Sequence, residues 1–176
     1  MANVLLGITG SVAAIYTPAL ASELRQAGHA VKVLTTKAAS YFFDASAVAD
    51  LIRDEDEWPG ERYRRGDPVL HIELRRWADV LAIAPLDANT LAKLALGITD
   101  NCLTCVYRAW DRNKPIVLAP AMNTLMWEHP ATARHLKQIQ EDMGRVVVAP
   151  PQVKTLACDD VGIGAMASHR DIVAAI

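Results

Sequence analysis

The chain has 176 residues, a formal net charge of −2, and 52% hydrophobic against 22% charged residues. That length suits one domain over 1–176, able to bury its own core; the balance excludes a disordered chain and offers no general attraction to nucleic acid or an anionic membrane. No apolar run approaches the roughly 18 residues of a membrane helix, the start Met1-Ala-Asn-Val-Leu-Leu-Gly has no basic region ahead of its apolar run, and three cysteines are too few and odd in number for a disulfide framework, so a cytoplasmic, reduced protein is expected.

Val4 to Ile8 is a short apolar run broken off by Gly7, Thr9, Gly10 and Ser11. Val12 to Ala27 then reads as a helix closing at Gly28, and Val31 to Thr35 as a second strand. This is a β-α-β unit, which predicts a parallel sheet with right-handed crossovers. The junction Gly7-Ile-Thr-Gly-Ser-Val-Ala-Ala presents free amides at a helix N-terminus, which favour an anion. Its glycines are not spaced as G-x-G-x-x-G, so a mononucleotide phosphate fits better than a pyrophosphate; a plain tight turn is the alternative. Thr35 and Thr36 add two hydroxyls at the second strand end, for a ligand or, as spacing favours, for capping the next helix.

Residues 53–67 form a charged stretch broken by Pro and Gly, expected to be a solvated surface connection. Val69 to Trp77 returns to helical spacing, with Leu70, Leu74 and Trp77 apolar. His71 and Arg75 lie four apart on one face. A neutral His can take a proton near pH 7 and an Arg can hold a carboxylate in two prongs, although a single His on a half-apolar helix is more often structural.

Val80 to Ala84 is the third strand. It leads through Pro85-Leu-Asp-Ala-Asn-Thr into a helix, the arrangement that forms binding crevices in open α/β sheets. Asp87, Asn89 and Thr90 either cap that helix or hold a ribityl or phosphate group. Leu103 to Trp110 is a further helix. Cys102 and Cys105 make a C-x-x-C pair, but without a second pair they support no zinc site, and buried helical cysteines are a simpler reading than a redox pair. Ile116 to Ala119 is the fourth strand and stops at Pro120. Asn123 then stands in a loop just past a strand end, suited to holding a carboxylate or amide or to capping the next turn. Pro130 to Met143 is a helix ending at Gly144, and Val146 to Ala149 a fifth strand. Residues 152–168 show no clean period; their glycines and aspartates suggest a mobile loop able to close over a site. Cys158 at its centre is an acid or nucleophile if its environment tunes it, or a small apolar anchor. Asp171 to Ile176 begins a last helix.

The loop Pro120-Ala-Met-Asn-Thr-Leu-Met-Trp-Glu-His-Pro closely resembles the signature loop of the flavin-dependent cysteine decarboxylases, in the branch that includes phosphopantothenoylcysteine decarboxylase. Four other blocks follow that family's order: Gly7-Ile-Thr-Gly-Ser-Val-Ala-Ala, Asp67-Pro-Val-Leu-His through Asp79, Ala84-Pro-Leu-Asp-Ala-Asn-Thr continuing to Cys105, and Leu156-Ala-Cys-Asp-Asp-Val-Gly-Ile-Gly-Ala-Met. The resemblance implies a flavodoxin-like (Rossmann-like) three-layer α/β/α fold with a parallel sheet, FMN as cofactor, no metal, and a homotrimer with FMN at subunit interfaces. FMN would be touched by Gly10, Ser11, Val12, Thr35, Thr36, Asp87, Ala88, Asn89, Thr90 and Ala121. The implied substrate is 4′-phosphopantothenoylcysteine, converted to 4′-phosphopantetheine and carbon dioxide in coenzyme A synthesis. The cysteine moiety is oxidised to a thioaldehyde, loses carbon dioxide, and the resulting enethiol is reduced.

By the same resemblance His71 is the base, Asn123 holds the substrate carboxylate, and Arg76, Thr155, Leu156 and Ala157 help grip the substrate. Cys158 protonates the enethiol, with 152–168 as a substrate-covering flap. The family usually has Gly after this Cys, where Asp159 stands here; an extra carboxylate disfavours the neighbouring thiolate and bears on the reductive half. Peptidyl-cysteine decarboxylases, which lack the Cys, and regulatory phosphatase-inhibiting homologues, which carry long acidic extensions, are the alternatives. A flavin prenyltransferase would lack the Pro-Ala-Met-Asn loop, and a simple FMN electron carrier would leave His71 without a role.

Overall fold

The computed structural model describes residues 1–58, 60–155 and 161–176. Six strands, β1 (Asn3–Ile8), β2 (Ala30–Thr35), β3 (Leu51–Arg53), β4 (Val80–Leu86), β5 (Ile116–Pro120) and β6 (Val146–Val148), pair in parallel in the order β3-β2-β1-β4-β5-β6. Without the short edge strand β3 this is the five-stranded doubly wound order of the flavodoxin-like fold. The central strands are continuous apolar runs because both faces of the sheet are covered; β4 is buried at all seven positions.

Alternation along the strands divides the core in two. On one face Val4, Leu6, Ile8, Val31 and Val33 pack with Leu20 and Leu24 of α1 (Thr17–Gln26) and Ile172 of α7 (His169–Ala174). On the other, Leu5, Leu34, Leu81, Ile83 and Leu118 meet Leu74 of α2 (Leu70–Trp77), Leu91 of α3 (Ala88–Leu96), Leu103 of α4 (Cys102–Arg108) and Ile139 of α6 (Pro130–Asp142). Each fully buried Leu or Ile contributes about 1.5–3 kcal/mol. Gly7 belongs to this packing: a Cβ there would stand 2.7 Å from Leu103 Cδ1, so its absence lets α4 approach the sheet.

The expected strands and helices are present with shifted bounds. The helix expected over Val12–Ala27 opens as a 3-10 turn, Val12–Tyr16, and restarts as α1; Pro18 lies in the first α turn, where its missing N–H does no harm. Gly28, at φ +91°, follows that helix as expected. β3 lies just before and within the charged stretch, and three residues are too few to give a strand signal. The largest departure is at 152–168. Instead of a loop without period, β7 (Gln152–Thr155) and β8 (Val161–Ala165) form an antiparallel hairpin outside the main sheet. The alternation is hidden in β8 because Gly162 and Gly164 occupy its packed positions. A Cβ on Gly162 would meet Thr124 Oγ1, and one on Gly164, at φ +149°, would meet the Met122 carbonyl oxygen. No helix among the described residues is long and apolar enough to cross a membrane.

Candidate active site

The chain leaves β3, crosses to the far side of β1 and enters β4, so the sheet switches direction between β1 and β4. Ligand crevices form at the carboxyl ends of strands flanking such a switch. Thr9 ties the two ends together. Fully buried, it donates its hydroxyl to the Pro85 carbonyl at 2.8 Å and accepts the Asp87 N–H at 2.7 Å. Asp87 caps α3, its Oδ1 accepting the Thr90 N–H at 2.6 Å. A Cβ on Gly10 would lie 2.8 Å from Ala38 Cβ and 3.1 Å from Asp87 Oδ2. Ser11 caps the 3-10 turn, its Oγ accepting from Ala13 N–H at 3.4 Å, with Val12 opening that turn.

Thr35 and Thr36 are buried at the end of β2, but not as helix caps. The Thr35 hydroxyl donates to the Thr36 carbonyl at 3.2 Å, and the next 3-10 turn has no side-chain cap. Ala121, at the end of β5, is buried and donates its N–H to the Leu86 carbonyl at 2.9 Å. The carboxyl ends of β2, β1, β4 and β5 thus gather Gly10, Ser11, Val12, Thr35, Thr36, Asp87, Ala88, Asn89, Thr90 and Ala121 along one edge. A turn admitting only glycine, two helix N-termini with inward amides and buried hydroxyls match the phosphate and ribityl chain of a flavin mononucleotide, so these residues fit the expected cofactor.

His71 is the second residue of α2. That helix precedes β4 and runs against the strands, which puts its N-terminus at the same edge of the sheet. Here the charged stretch departs from the solvated connection expected. Asp54–Glu57 is a 3-10 turn with three residues per turn, so Asp54 and Glu57 face inward together while Glu55 and Asp56 stay exposed. Asp54 Oδ1 accepts the Cys102 N–H at 2.7 Å. Glu57, with its side chain 1% exposed, takes His71 twice: its Oε1 lies 2.5 Å from His71 Nδ1, and its Oε2 accepts the His71 backbone N–H at 3.0 Å. Arg75, expected to act with His71, turns away and donates from Nη1 to the Ala109 carbonyl at 3.0 Å. Arg76 is exposed on α2, five residues on and so about 140° round the helix from His71.

The C-x-x-C pair is part of this wall. Burial, and then the Glu57 carboxylate beside it, push the Cys102 thiol far above its ordinary range, and burial raises Cys105 as well. Both are free thiols, and both are held in the unreactive protonated form. Burial also raises Asp54, against the pull of its bond from Cys102 N–H.

Asn123 caps α5 (Thr124–Glu128), its Oδ1 accepting the Leu125 N–H at 2.8 Å. The hairpin docks on this same loop, with Met122 N–H donating to the Gly164 carbonyl at 3.0 Å. Thr155 ends β7 and is exposed; Leu156, Ala157, Cys158 and Asp159 lie outside the described residues. Sequence reading missed Thr9 and Glu57. The only signal for Glu57 was its three-residue spacing from Asp54, within a run of four acids that resembles any solvated surface.

The profile of the Flavoprotein family matches residues 1–176. The chain is 53% identical over 176 residues to a phosphopantothenoylcysteine decarboxylase of Mus musculus, covering 99% of this chain and 85% of that protein. Among solved structures it is similar to a PPC decarboxylase cysteine-to-serine mutant complexed with pantothenoylaminoethenethiol, with a TM-score of 0.89 and 48% identity, covering 98% of this chain and 94% of that one. It is also similar to the FMN binding protein AtHal3, with a TM-score of 0.86 and 49% identity, covering 98% and 93%.

Proposed function

The chain belongs to the Flavoprotein family along its whole length, and we infer that it is the FMN-dependent decarboxylase that converts 4′-phosphopantothenoylcysteine to 4′-phosphopantetheine and carbon dioxide in coenzyme A synthesis. The observation that carries this reading is the crevice between the ends of β1 and β4, where the Gly10 turn and the capped start of α3 face one another. FMN, when bound, supplies a two-electron acceptor and donor that no side chain offers.

The chain's own groups bind, orient and move protons. The Gly10–Val12 turn and the α3 N-terminus hold the phosphate and ribityl chain through amides and hydroxyls. His71 takes the proton from the substrate's cysteine moiety at its free ring nitrogen. Asn123, whose Oδ1 accepts the Leu125 N–H, holds the substrate carboxylate through its side-chain amide, a group that can donate to an anion. Arg76 extends an exposed guanidinium for an anionic group of the substrate. The β7–β8 hairpin covers the substrate and excludes water, and Thr155, Leu156 and Ala157 help grip the substrate. Cys158 returns a proton to the enethiol.

The assembly is a homotrimer with FMN at the subunit boundaries. Val12, Ile15 and Tyr16 beside the Gly10 turn, and Leu125 and Met126 beside Asn123, are exposed apolar side chains that a neighbouring subunit would cover. Free Cys102 and Cys105 suit a reducing compartment, the cytoplasm.

The test is the flavin spectrum and product mass with phosphopantothenoylcysteine, for wild type and Cys158→Ser. A yellow wild-type protein is expected to release phosphopantetheine, and the variant to stop at an enethiol two hydrogens lighter. A colourless protein without turnover would sink the reading.

A further inference from the structure

We propose that Glu57 is a positioning residue for the reaction, holding His71 in the one tautomer that leaves Nε2 free to take the substrate's proton. This deepens the reading of His71 as the base and rests on it. An imidazole can act as a base only through a nitrogen that carries no proton, and which nitrogen that is depends on what the other one bonds. Here Nδ1 faces Glu57 Oε1 at 2.5 Å. An ionised carboxylate only accepts, so Nδ1 must be the protonated nitrogen and Nε2 the open one. When Nε2 takes a proton, the ring becomes a cation whose Nδ1–H still points at a carboxylate, which offsets the new charge in a buried setting.

The mount is built for this. Val69, the residue before α2, offers no side-chain cap, and the N–H of His71 is one of the donors a helix start leaves without a partner. Glu57 Oε2 accepts it at 3.0 Å. One carboxylate therefore fixes both the backbone that carries the imidazole and the imidazole itself. Behind Glu57 lies Cys102, whose thiol is pushed up by burial and by the neighbouring Glu57 carboxylate and whose backbone N–H is anchored by Asp54. A buried acid with its side chain 1% exposed is costly to keep unless its contacts matter, and each contact named leads to His71 or to its support. The first cysteine of the C-x-x-C motif, fully buried, belongs to the wall behind Glu57.

The test uses the FMN-loaded enzyme, with rates normalised to bound flavin, in wild type, Glu57→Gln, Glu57→Asp and His71→Asn. Long-range nitrogen–proton NMR reads the His71 tautomer directly, its signals assigned by their loss in His71→Asn. The wild-type neutral ring should carry its proton on Nδ1. Glu57→Gln, whose amide can also donate, should move proton population to Nε2 and lower kcat by roughly 10²-fold while KM stays within about threefold. Glu57→Asp should restore part of kcat with the wild-type tautomer. A wild-type ring protonated on Nε2, or a Glu57→Gln enzyme with full kcat, overturns the proposal. A fully active His71→Asn would instead overturn the reading of His71, so the two failures are told apart.

Discussion

Gly10 has no room for a side chain. The methyl of an alanine would sit 2.8 Å from Ala38 Cβ and 3.1 Å from an Asp87 oxygen, and Asp87 cannot yield without releasing the Thr90 N–H it caps. Overpacking of this kind costs about 1–3 kcal/mol. Gly10→Ala is expected to fold and to weaken FMN binding by about tenfold or more, read by flavin fluorescence quenching on titrating apoprotein. An unchanged dissociation constant would mean the turn does not cradle the phosphate. At this scale the sequence was uneven in what it disclosed. Gly10, Ser11 and Asp87 are legible because turns and caps demand particular residue types locally. Thr9 and Glu57 are not, since their partners, Pro85 and His71, lie 76 and 14 residues away.

The β7–β8 hairpin is attached to the rest of the molecule at a few points. Among the described residues it shares no pairing with the six-stranded sheet, and it meets the Asn123 loop through Gly162, Gly164 and the Met122 N–H. Gly164→Ala places a Cβ on the Met122 carbonyl at a φ of +149° that alanine resists. The hairpin is expected to lift from the loop. Limited proteolysis should then cut at 152–165 faster than in wild type and kcat should fall, while the melting temperature moves by no more than about 2 °C, as the sheet keeps its own core. A variant as protease-resistant and active as wild type would refute the docking role. The strand period of β8 escaped the sequence for the same reason that the hairpin can dock: glycines stand where an alternating strand would show its apolar side chains.

Over the whole molecule, α4 makes stability sensitive to alkali. Burial pushes the Cys102 thiol well above its ordinary value of 9.0, and burial with Asp142 nearby raises Tyr107 from 10.0 to about 12. Groups with folded values above their unfolded ones hold more protons folded than unfolded once the pH passes the unfolded values, so stability falls as pH rises from there. Their contribution is complete below pH 9 and is lost progressively above it. The melting temperature should therefore decline from pH 9 to 11, and Tyr107→Phe and Cys102→Ala should each flatten that decline relative to its own value at pH 8. Parallel slopes in all three proteins would show that other groups govern alkaline unfolding.

The sequence by itself determined the β-α-β order, the burial of the central strands and the turn and cap residues at their carboxyl ends. Those are short-range matters, set by apolar runs and by the backbone demands of Gly, Pro, Ser and Asp. Its motif blocks also carried the family, and with it the chemistry. Only the tertiary structure decided that Glu57 leaves the solvated acidic run to hold His71, that Arg75 turns away to α4, and that an aperiodic tail pairs as a hairpin against the Asn123 loop. Each of these depends on which distant surface lies opposite a residue, and the linear pattern of a chain does not record that distance.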